Sequence, residues 1–262
     1  MRTGSIGLAA GVLGVIVYLL FPVIVVVTIS LSSASYLNFP PPGLSLQWYQ
    51  KMLHDPEWLS AFWVTIKVGV LASLIAVAVG VPAAFALVRH VIPGKSLLNA
   101  IILSALVTPP IVSALAVFLM YVPLGLVNSL VGLACAHAVA GIPFVVINTA
   151  ASLRSADQDL ERAAIIHGAS PLAAAVRITL PIVSPGVVVG FILSFVHSAH
   201  ELLIASFVLG GVGKPISVKM WSQVQATTDP SVTAVSTVLI GVAILTVISV
   251  GATQSVARRR NG

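Results

Sequence analysis

Charge is scarce in this chain of 262 residues. Only 8% of the residues are Asp, Glu, Lys or Arg, and aromatic residues make up 6%. Soluble domains carry about 25% charged residues, so the composition excludes an ordinary soluble enzyme. Cys135 is the one cysteine, which excludes an internal disulfide. We expect it to be a small buried hydrophobic residue.

Long hydrophobic runs dominate the chain instead. Hydrophobic residues make up 58% of it, and the mean hydropathy is +1.09. Apolar runs of about 18 or more residues recur, and each can cross a bilayer core about 30 Å thick. The sequence predicts an all-α polytopic membrane protein, one transmembrane domain over residues 1–262 with no separate catalytic domain. The six predicted transmembrane helices lie at about residues 6–31, 61–88, 97–122, 127–153, 182–209 and 231–256.

The segment between the first two spans is more polar, and its tryptophans and tyrosine are typical of an interfacial belt. They are Trp48, Tyr49, Trp58 and the nearby Trp63. The first apolar run is longer than the core of a secretory signal, so we expect an uncleaved anchor helix.

Basic residues set the expected orientation. If both termini are cytoplasmic, nine of the 13 Lys and Arg residues lie on the cytoplasmic side and four on the outer side, as the positive-inside rule requires. The net charge of +6 then follows from topology rather than from nucleic-acid binding, because no basic helix with interleaved aromatic residues is present. The cytoplasmic set is Arg2, Arg89, Lys95, Arg154, Arg162, Arg177, Arg258, Arg259 and Arg260, and the outer set is Lys51, Lys67, Lys214 and Lys219.

The densest charge lies in a loop at about residues 154–181, which this orientation places in the cytoplasm. Asp157 or Asp159 is a suitable cap for a short helix that ends at Gly168. A second helix is expected to begin at Ser170-Pro171 and to end before Pro181. The loop is either a docking surface or a solvated connection that merely covers the end of the bundle.

The same loop contains the pair Ala163-Ala164, Gly168 four residues later, and then Ile178-Thr179-Leu180-Pro181. This pattern resembles the EAA loop of binding-protein-dependent ABC importer permeases. The resemblance implies a coupling loop that docks into a groove of a cytoplasmic ATPase subunit. In this chain Arg162 stands where that family has glutamate, and Glu161 precedes it, which leaves the charge contacts open. The coupling residues implied are Glu161, Arg162, Ala163, Ala164, Gly168, Ile178, Leu180 and Pro181.

The resemblance extends to the order of the spans and to segments such as Ser194-Phe195, Ser206-Phe207-Val208 and Pro215–Trp221, which are similar to the spermidine/putrescine branch of the family. It implies a type I (MetI-like) permease in the bacterial inner membrane. The implied partners are a second permease (another copy or a different chain), an ATPase dimer, a periplasmic binding protein and the lipid bilayer. The implied solute is a polyamine or another small amine, while anions such as aminophosphonates stay open.

Glu201 is expected midway along the fifth span, beside His200 and near His197. Ionisable groups at bilayer depth usually face a cavity, so these three residues are candidates for a solute pathway. The alternative is a structural Glu–His pair, or a bond to Ser198, that holds helices together. Glu201 also permits an ion-coupled secondary transporter, although the internal repeats typical of that class are not evident. An intramembrane hydrolase would need a complete triad, which the residues near Ser198 do not provide.

Motifs of enzymes and cofactor sites are incomplete. His200-Glu201 begins a zinc-binding H-E-x-x-H pattern, but Ile204 replaces the second histidine. Gly213-Lys214 resembles the end of a phosphate-binding loop, but Val208 stands where its first glycine is required. We therefore expect no metal, no cofactor and no enzymatic activity, and we expect ATP hydrolysis on a separate polypeptide.

Overall fold

The computed structural model describes residues 2–210, 213–226 and 229–260. The apolar runs form helices, because only internal hydrogen bonds satisfy a backbone that crosses lipid. The described helices are α1 (Arg2–Ser30), α2 (Gln47–His54), α3 (Pro56–Arg89), α4 (Lys95–Val107), α5 (Pro110–Leu124), α6 (Leu130–Ser155), α7 (Gln158–Ile166), α8 (Pro171–Ala174), a π-helical turn (Ala175–Thr179), α9 (Leu180–His200), α10 (Leu203–Val208), α11 (Ile216–Ala226) and α12 (Ser231–Arg260).

Several helices are long and apolar enough to cross a membrane, which confirms the all-α polytopic class. Among the described residues, four segments pass this test outright: Gly11–Ser30, Pro56–Arg89, Leu130–Ser155 and Pro171–His200. The pair α4 and α5 gives a fifth if it counts as one span. The sixth predicted span falls on α12, whose described apolar part is Ser231–Leu245. The side chains of Arg2 and of Arg258 to Arg260 lie outside the described residues.

The third predicted span is not one straight helix. Helices α4 and α5 meet at an angle of 104°. Thr108 and Pro109 have extended backbones, with ψ of 129° at each. A residue that precedes proline is disfavoured in the helical region, and Pro109-Pro110 imposes this restriction on two consecutive residues. The third predicted span, at about residues 97–122, is therefore sharply bent at its two prolines.

The fifth predicted span has different ends from those expected. Helix α8 does not stop before Pro181; it continues through the π-helical turn into α9. Pro181 lies in the first turn of α9, where a missing amide hydrogen is tolerated. At the other end the helix stops at His200, and only the short α10 follows. Glu201 thus lies at a helix break rather than midway along a helix, which corrects the sequence-based expectation.

Two compact units divide the chain. The larger unit comprises residues 60–218 together with residues 246–262. In it, α6 packs closely along α9, and glycines make this approach possible. A Cβ on Gly190 would lie 2.7 Å from the Cα of Val145, and one on Gly186 would lie 2.6 Å from the carbonyl oxygen of Asn148. Small residues at such crossings let the two backbones come into direct contact.

Cys135 lies on α6 in the larger unit and is exposed. Its neighbours Ala134 and Ala136 are buried, whereas Val131 and Val139, one turn away on either side, are 58% and 60% exposed. Residues four apart share a helix face, so Cys135 belongs to an outward apolar face. The expectation that this cysteine is buried was wrong.

The smaller unit comprises residues 1–59 and 219–245. The Trp48 indole donates a hydrogen bond to the Ser32 carbonyl at 2.8 Å. Lys51 pairs with Asp229, and Lys219 pairs with Glu57. Trp48 and Trp58 are only 8% and 1% exposed, so neither forms the interfacial belt expected of them. Trp63, in the other unit, is 62% exposed and remains compatible with a belt.

Candidate functional site

The charged loop contains a short helix that is closed at both ends. Asp157 accepts a hydrogen bond from the amide of Asp159 at 2.9 Å and so caps the first turn of α7. At the other end Gly168 has a φ of +91°. Its amide donates to the Ile165 carbonyl, and the amide of Ala169 donates to the Ala164 carbonyl, each at 3.0 Å. This pair of bonds is the Schellman motif, which satisfies the last carbonyls of a helix.

The second arm of the loop is the start of a membrane span. Ser170 caps it by accepting a hydrogen bond from the Ala173 amide at 3.2 Å, and Pro171 follows as the first helical residue. The π-helical turn then connects α8 to α9 without a break. Helices α8 and α9, with the turn between them, thus form the segment Pro171–His200, which is long and apolar enough to cross a membrane.

The inner side of the loop is polar and closely packed. Glu161 Oε2 accepts a hydrogen bond from the hydroxyl of Thr179 at 2.9 Å and lies 3.8 Å from Arg89 Nε. Arg89 Nη2 donates to the Ala156 carbonyl at 3.4 Å. Leu180, one of the residues implied for coupling, packs on a core formed by residues of α3, α6 and α9. Glu161 and Leu180 thus both face the interior of the larger unit.

The outer side of the loop carries two large apolar side chains among charged ones. Ile166 and Leu172 are 82% and 74% exposed, one on each arm. Arg162 is also outward, and it pairs with the exposed Asp159 at 3.2 Å. The resemblance did not point to Ile166 or Leu172, because its motif depends on small residues and on the glutamate position. What marks these two residues is their exposure, because large aliphatic side chains are seldom so open to solvent. Exposure follows from the fold and not from the sequence pattern.

The remaining residues implied for coupling are spread along the loop. Ala163 and Gly168 are exposed, Ala164 and Ile178 are partly buried, and Pro181 is exposed in the first turn of α9. The structure thus brings Glu161 and Thr179 together across the two arms, while Ile178 and Pro181 lie toward the span and away from the tip of the loop.

A second cluster surrounds the break in the fifth predicted span. Glu201 directs its carboxylate at the start of α10: Oε1 accepts from the amides of Leu203 and Ile204 at 3.0 Å each, and Oε2 accepts from Ala205 at 3.1 Å. A carboxylate at a helix N-terminus satisfies free amides and complements the helix dipole. These bonds explain why the chain breaks at this residue.

His137 of α6 completes this cluster. Its Nδ1 lies 2.7 Å from Ser198 Oγ, and its Nε2 lies 3.4 Å from Glu201 Oε2. The ring is 1% exposed. Sequence reasoning named the histidines adjacent to Glu201 but missed this one, because it lies 64 positions earlier on another helix. Only the fold brings the two residues together.

The two adjacent histidines do not join the carboxylate. The His197 ring packs against Phe144, with ring centroids 5.4 Å apart and the ring planes tilted by 41°. His200 is exposed, and its Nδ1 lies 2.9 Å from the carbonyl oxygen of Val196. Of the three pathway candidates, Glu201 is thus held inside the chain, His197 is packed, and His200 has its ring open to the surroundings.

The family described as "Binding-protein-dependent transport system inner membrane component" matches residues 76–261. The spermidine/putrescine transport system permease protein PotC of Escherichia coli (strain K12) is 28% identical over 242 residues, which cover 92% of this chain and 90% of PotC. The putrescine transport system permease protein PotI of the same organism is 28% identical over 231 residues, covering 86% and 82%.

One solved structure extends the likeness to the fold. A chain of a bacterial ABC transporter involved in the import of the acidic polysaccharide alginate superposes with a TM-score of 0.77. The aligned region covers 96% of each chain at 20% sequence identity. The arrangement of helices is therefore shared between proteins whose sequences have diverged widely.

Proposed function

The chain belongs to the family of binding-protein-dependent transport system inner membrane components, and on that premise we propose that it forms half of a solute path driven by ATP. It is a multi-pass inner-membrane permease subunit of an ABC importer. A second permease, either another copy of this chain or a different one, completes the path. Two cytoplasmic ATPase subunits bind beneath the pair, and a periplasmic binding protein delivers the solute.

The exposed apolar tip of the charged loop carries the proposal for ATPase docking. Ile166 and Leu172 present large aliphatic side chains from two arms that are fixed by caps and by the Glu161–Thr179 bond. Preorganised apolar anchors of this kind supply most of the affinity at protein interfaces. Closure of the ATPase pair would then move α7 and, through the continuous second arm, α9. The permease would then change from an inward-facing to an outward-facing state, with the energy supplied by ATP.

Charge at this tip tests the proposal. Ile166→Asp and Leu172→Asp should each reduce the amount of ATPase that co-purifies by roughly tenfold, because each removes an apolar anchor and adds a charge to the interface. Val91→Asp is the matched control, since Val91 is fully exposed on the turn between α3 and α4. Equal ATPase recovery in all three variants would show that the loop tip does not dock.

Both termini lie in the cytoplasm in this proposal, which puts the charged loop on the same side as the ATPase. The bias of nine basic residues against four supports this orientation. The test is a single cysteine at exposed His167 in a Cys135→Ala background, because Cys135 is the one native cysteine. A membrane-impermeant maleimide should label it in inside-out vesicles and not in intact cells. Labelling in intact cells alone would reverse the topology.

The proposed solute is a polyamine or another small amine. PotC and PotI, whose names specify spermidine and putrescine, support this class. The alginate importer shares the fold and handles an acidic polymer, so the fold alone does not select the charge of the solute. Uptake of labelled putrescine and spermidine by cells that express the complete transporter tests the class. Uptake that is blocked by an anion or unaffected by excess diamine would refute the amine class. Uptake that is insensitive to ATP depletion would refute the ATP-driven importer.

The solute path is proposed to run beside the break after α9, with His197, His200 and Glu201 at its edge. The exposure of His200 and the interruption of the helix at this position support the placement, because irregular backbone at membrane depth occurs where it lines a cavity. His200→Ala should change the apparent affinity for solute while the amount of assembled complex stays the same. An unchanged affinity and rate for every amine tested would remove His200 from the path.

A further inference from the structure

Arg89, the last residue of α3, lies where the ends of several elements meet. It donates to the carbonyl of Ala156 after α6 and faces Glu161 of α7. Its side chain is only 8% exposed. A guanidinium has five N–H donors, and burial without partners for them is costly. Yet Arg89 Nε and Nη1 are buried and have no hydrogen bond in the structure. The hydrogen-bond donors of Arg89 are thus only partly satisfied.

The carboxylate of Glu161 is placed to accept hydrogen bonds from these free donors of Arg89. Its Oε2 lies 3.8 Å from Arg89 Nε and is held by the Thr179 hydroxyl at 2.9 Å. A charge-assisted N–H···O bond is about 2.7–2.9 Å long, so a shift of roughly 1 Å would convert the present contact into a full bond and permit a two-bond fork. Thr179 is the last residue of the π-helical turn. Such turns hold an extra residue and are common where a helix adjusts its register at functional sites.

We infer that Arg89 and Glu161 form a two-position latch between α3 and the coupling helix α7. In the first position, which the structure shows, Glu161 is bonded to Thr179, and Arg89 Nε and Nη1 have no hydrogen-bond partner. In the other, α7 has moved toward α3, and Glu161 closes on the free guanidinium donors. Arg89 and Glu161 are then positioning residues, which act on transport through the loop rather than by touching solute or nucleotide. The inference rests on the proposed docking of the ATPase at this loop.

Asp159 offers a matched comparison on the same helix. Its side chain is 81% exposed and pairs with Arg162, which is 69% exposed. An exposed ion pair of this kind contributes little to stability. Asp159→Asn therefore removes one negative charge from α7, as Glu161→Gln does, and leaves the contact between Arg89 and Glu161 in place.

The test compares Glu161→Gln with Asp159→Asn in the complete transporter, reconstituted with its co-purifying ATPase and binding protein. Glu161→Gln keeps an acceptor for the Thr179 hydroxyl but removes the charge that Arg89 requires. Solute transported per ATP hydrolysed should fall by roughly tenfold, within the usual range of coupling between sites. Asp159→Asn should leave this ratio unchanged. The charge-swapped pair Arg89→Glu with Glu161→Arg should recover part of the loss that either single change causes.

Other outcomes overturn the inference in distinguishable ways. If Glu161→Gln and Asp159→Asn give the same ratio, there is no latch. If transport and ATP hydrolysis fall together in proportion to the amount of assembled complex, Glu161 is only structural. If wild-type protein retains no ATPase, the proposed function fails first. A double-mutant cycle on the thermal midpoint of the purified permease then still measures the contact, and additive effects of Arg89→Gln and Glu161→Gln would show that it is absent.

Discussion

Gly168 offers a test in which backbone conformation and side-chain size predict different orders of activity. Its φ is +91°, in the left-handed region that side chains disfavour, and a Cβ built on it would meet nothing within 4 Å. Any penalty for substitution within the chain is therefore conformational and not steric. An L-residue in this region costs about 1–2 kcal/mol, with a β-branched residue at the upper end.

That penalty acts on the Schellman motif that ends α7. A nine-residue helix is marginal on its own and depends on its caps and on packing. A cost of about 1–2 kcal/mol lowers the population of the capped loop by a factor of about 5–30. Asparagine tolerates positive φ better than other non-glycine residues, so Gly168→Asn should be the mildest change, followed by Gly168→Ala and then Gly168→Val.

The assay measures ATPase retention and solute uptake for the three variants at equal amounts of permease in the membrane. The order Asn, Ala, Val from mildest to most severe supports the conformational reasoning. Side-chain size alone would put Ala first, because alanine is smaller than asparagine. Wild-type behaviour of Gly168→Val, or a milder effect of Ala than of Asn, would refute the role assigned to this cap.

Two further predictions concern stability. Gly190→Ala should destabilise the permease by about 1–3 kcal/mol, because the new Cβ would lie 2.7 Å from the Val145 backbone. Gly241→Ala is the control, since its Cβ would meet nothing within 4 Å. Equal thermal midpoints of the two variants would contradict this packing. Burial raises the pKa of Asp229, but bonds from Lys51 and from Ser231 outweigh it and leave the pKa below its ordinary value. The stability that Asp229 contributes is therefore present above a pH of about 4 and lost below it, so the difference in midpoint between wild type and Asp229→Asn should shrink as pH falls through this range; a difference that grows would reverse the sign.

The sequence predicted the helical class and the ends of α7 well, because hydrophobic length and capping residues are local properties. Asp157 was one of two candidates for the N-cap of α7, and the structure shows it in that role. Gly168 ends α7 and Ser170 caps α8, as their residue types predicted. Breaks inside spans were harder to predict. Pro82 lies within α3 without ending it, whereas Pro109-Pro110 bends the chain by 104°. The second proline makes the difference, because it also fixes the backbone of the residue before it.

Contacts between helices could not be read from sequence spacing. The partner of Glu201 is His137 on another helix, and the group that faces Glu161 is Arg89 at the end of α3. Hydropathy averaged over a window treats Glu201 as a single polar residue in an apolar run and so predicts a continuous helix. The carboxylate ends α9 because it satisfies three amides of α10, and that effect depends on geometry.

The acidic residues bear on the proposed transport of an amine. The chain has seven, and each makes a contact within the chain: Asp55, Glu57, Asp157, Asp159, Glu161, Glu201 and Asp229. An amine that crosses beside the break would meet no carboxylate that is free of such contacts. Recognition by charge is then expected in the binding protein, while this chain offers the exposed imidazole ring of His200. Glu201→Gln should consequently weaken the start of α10 and lower the amount of folded permease, with the apparent affinity of the remainder unchanged. A loss of affinity for amines at an unaltered amount of permease would instead give Glu201 a direct contact with solute.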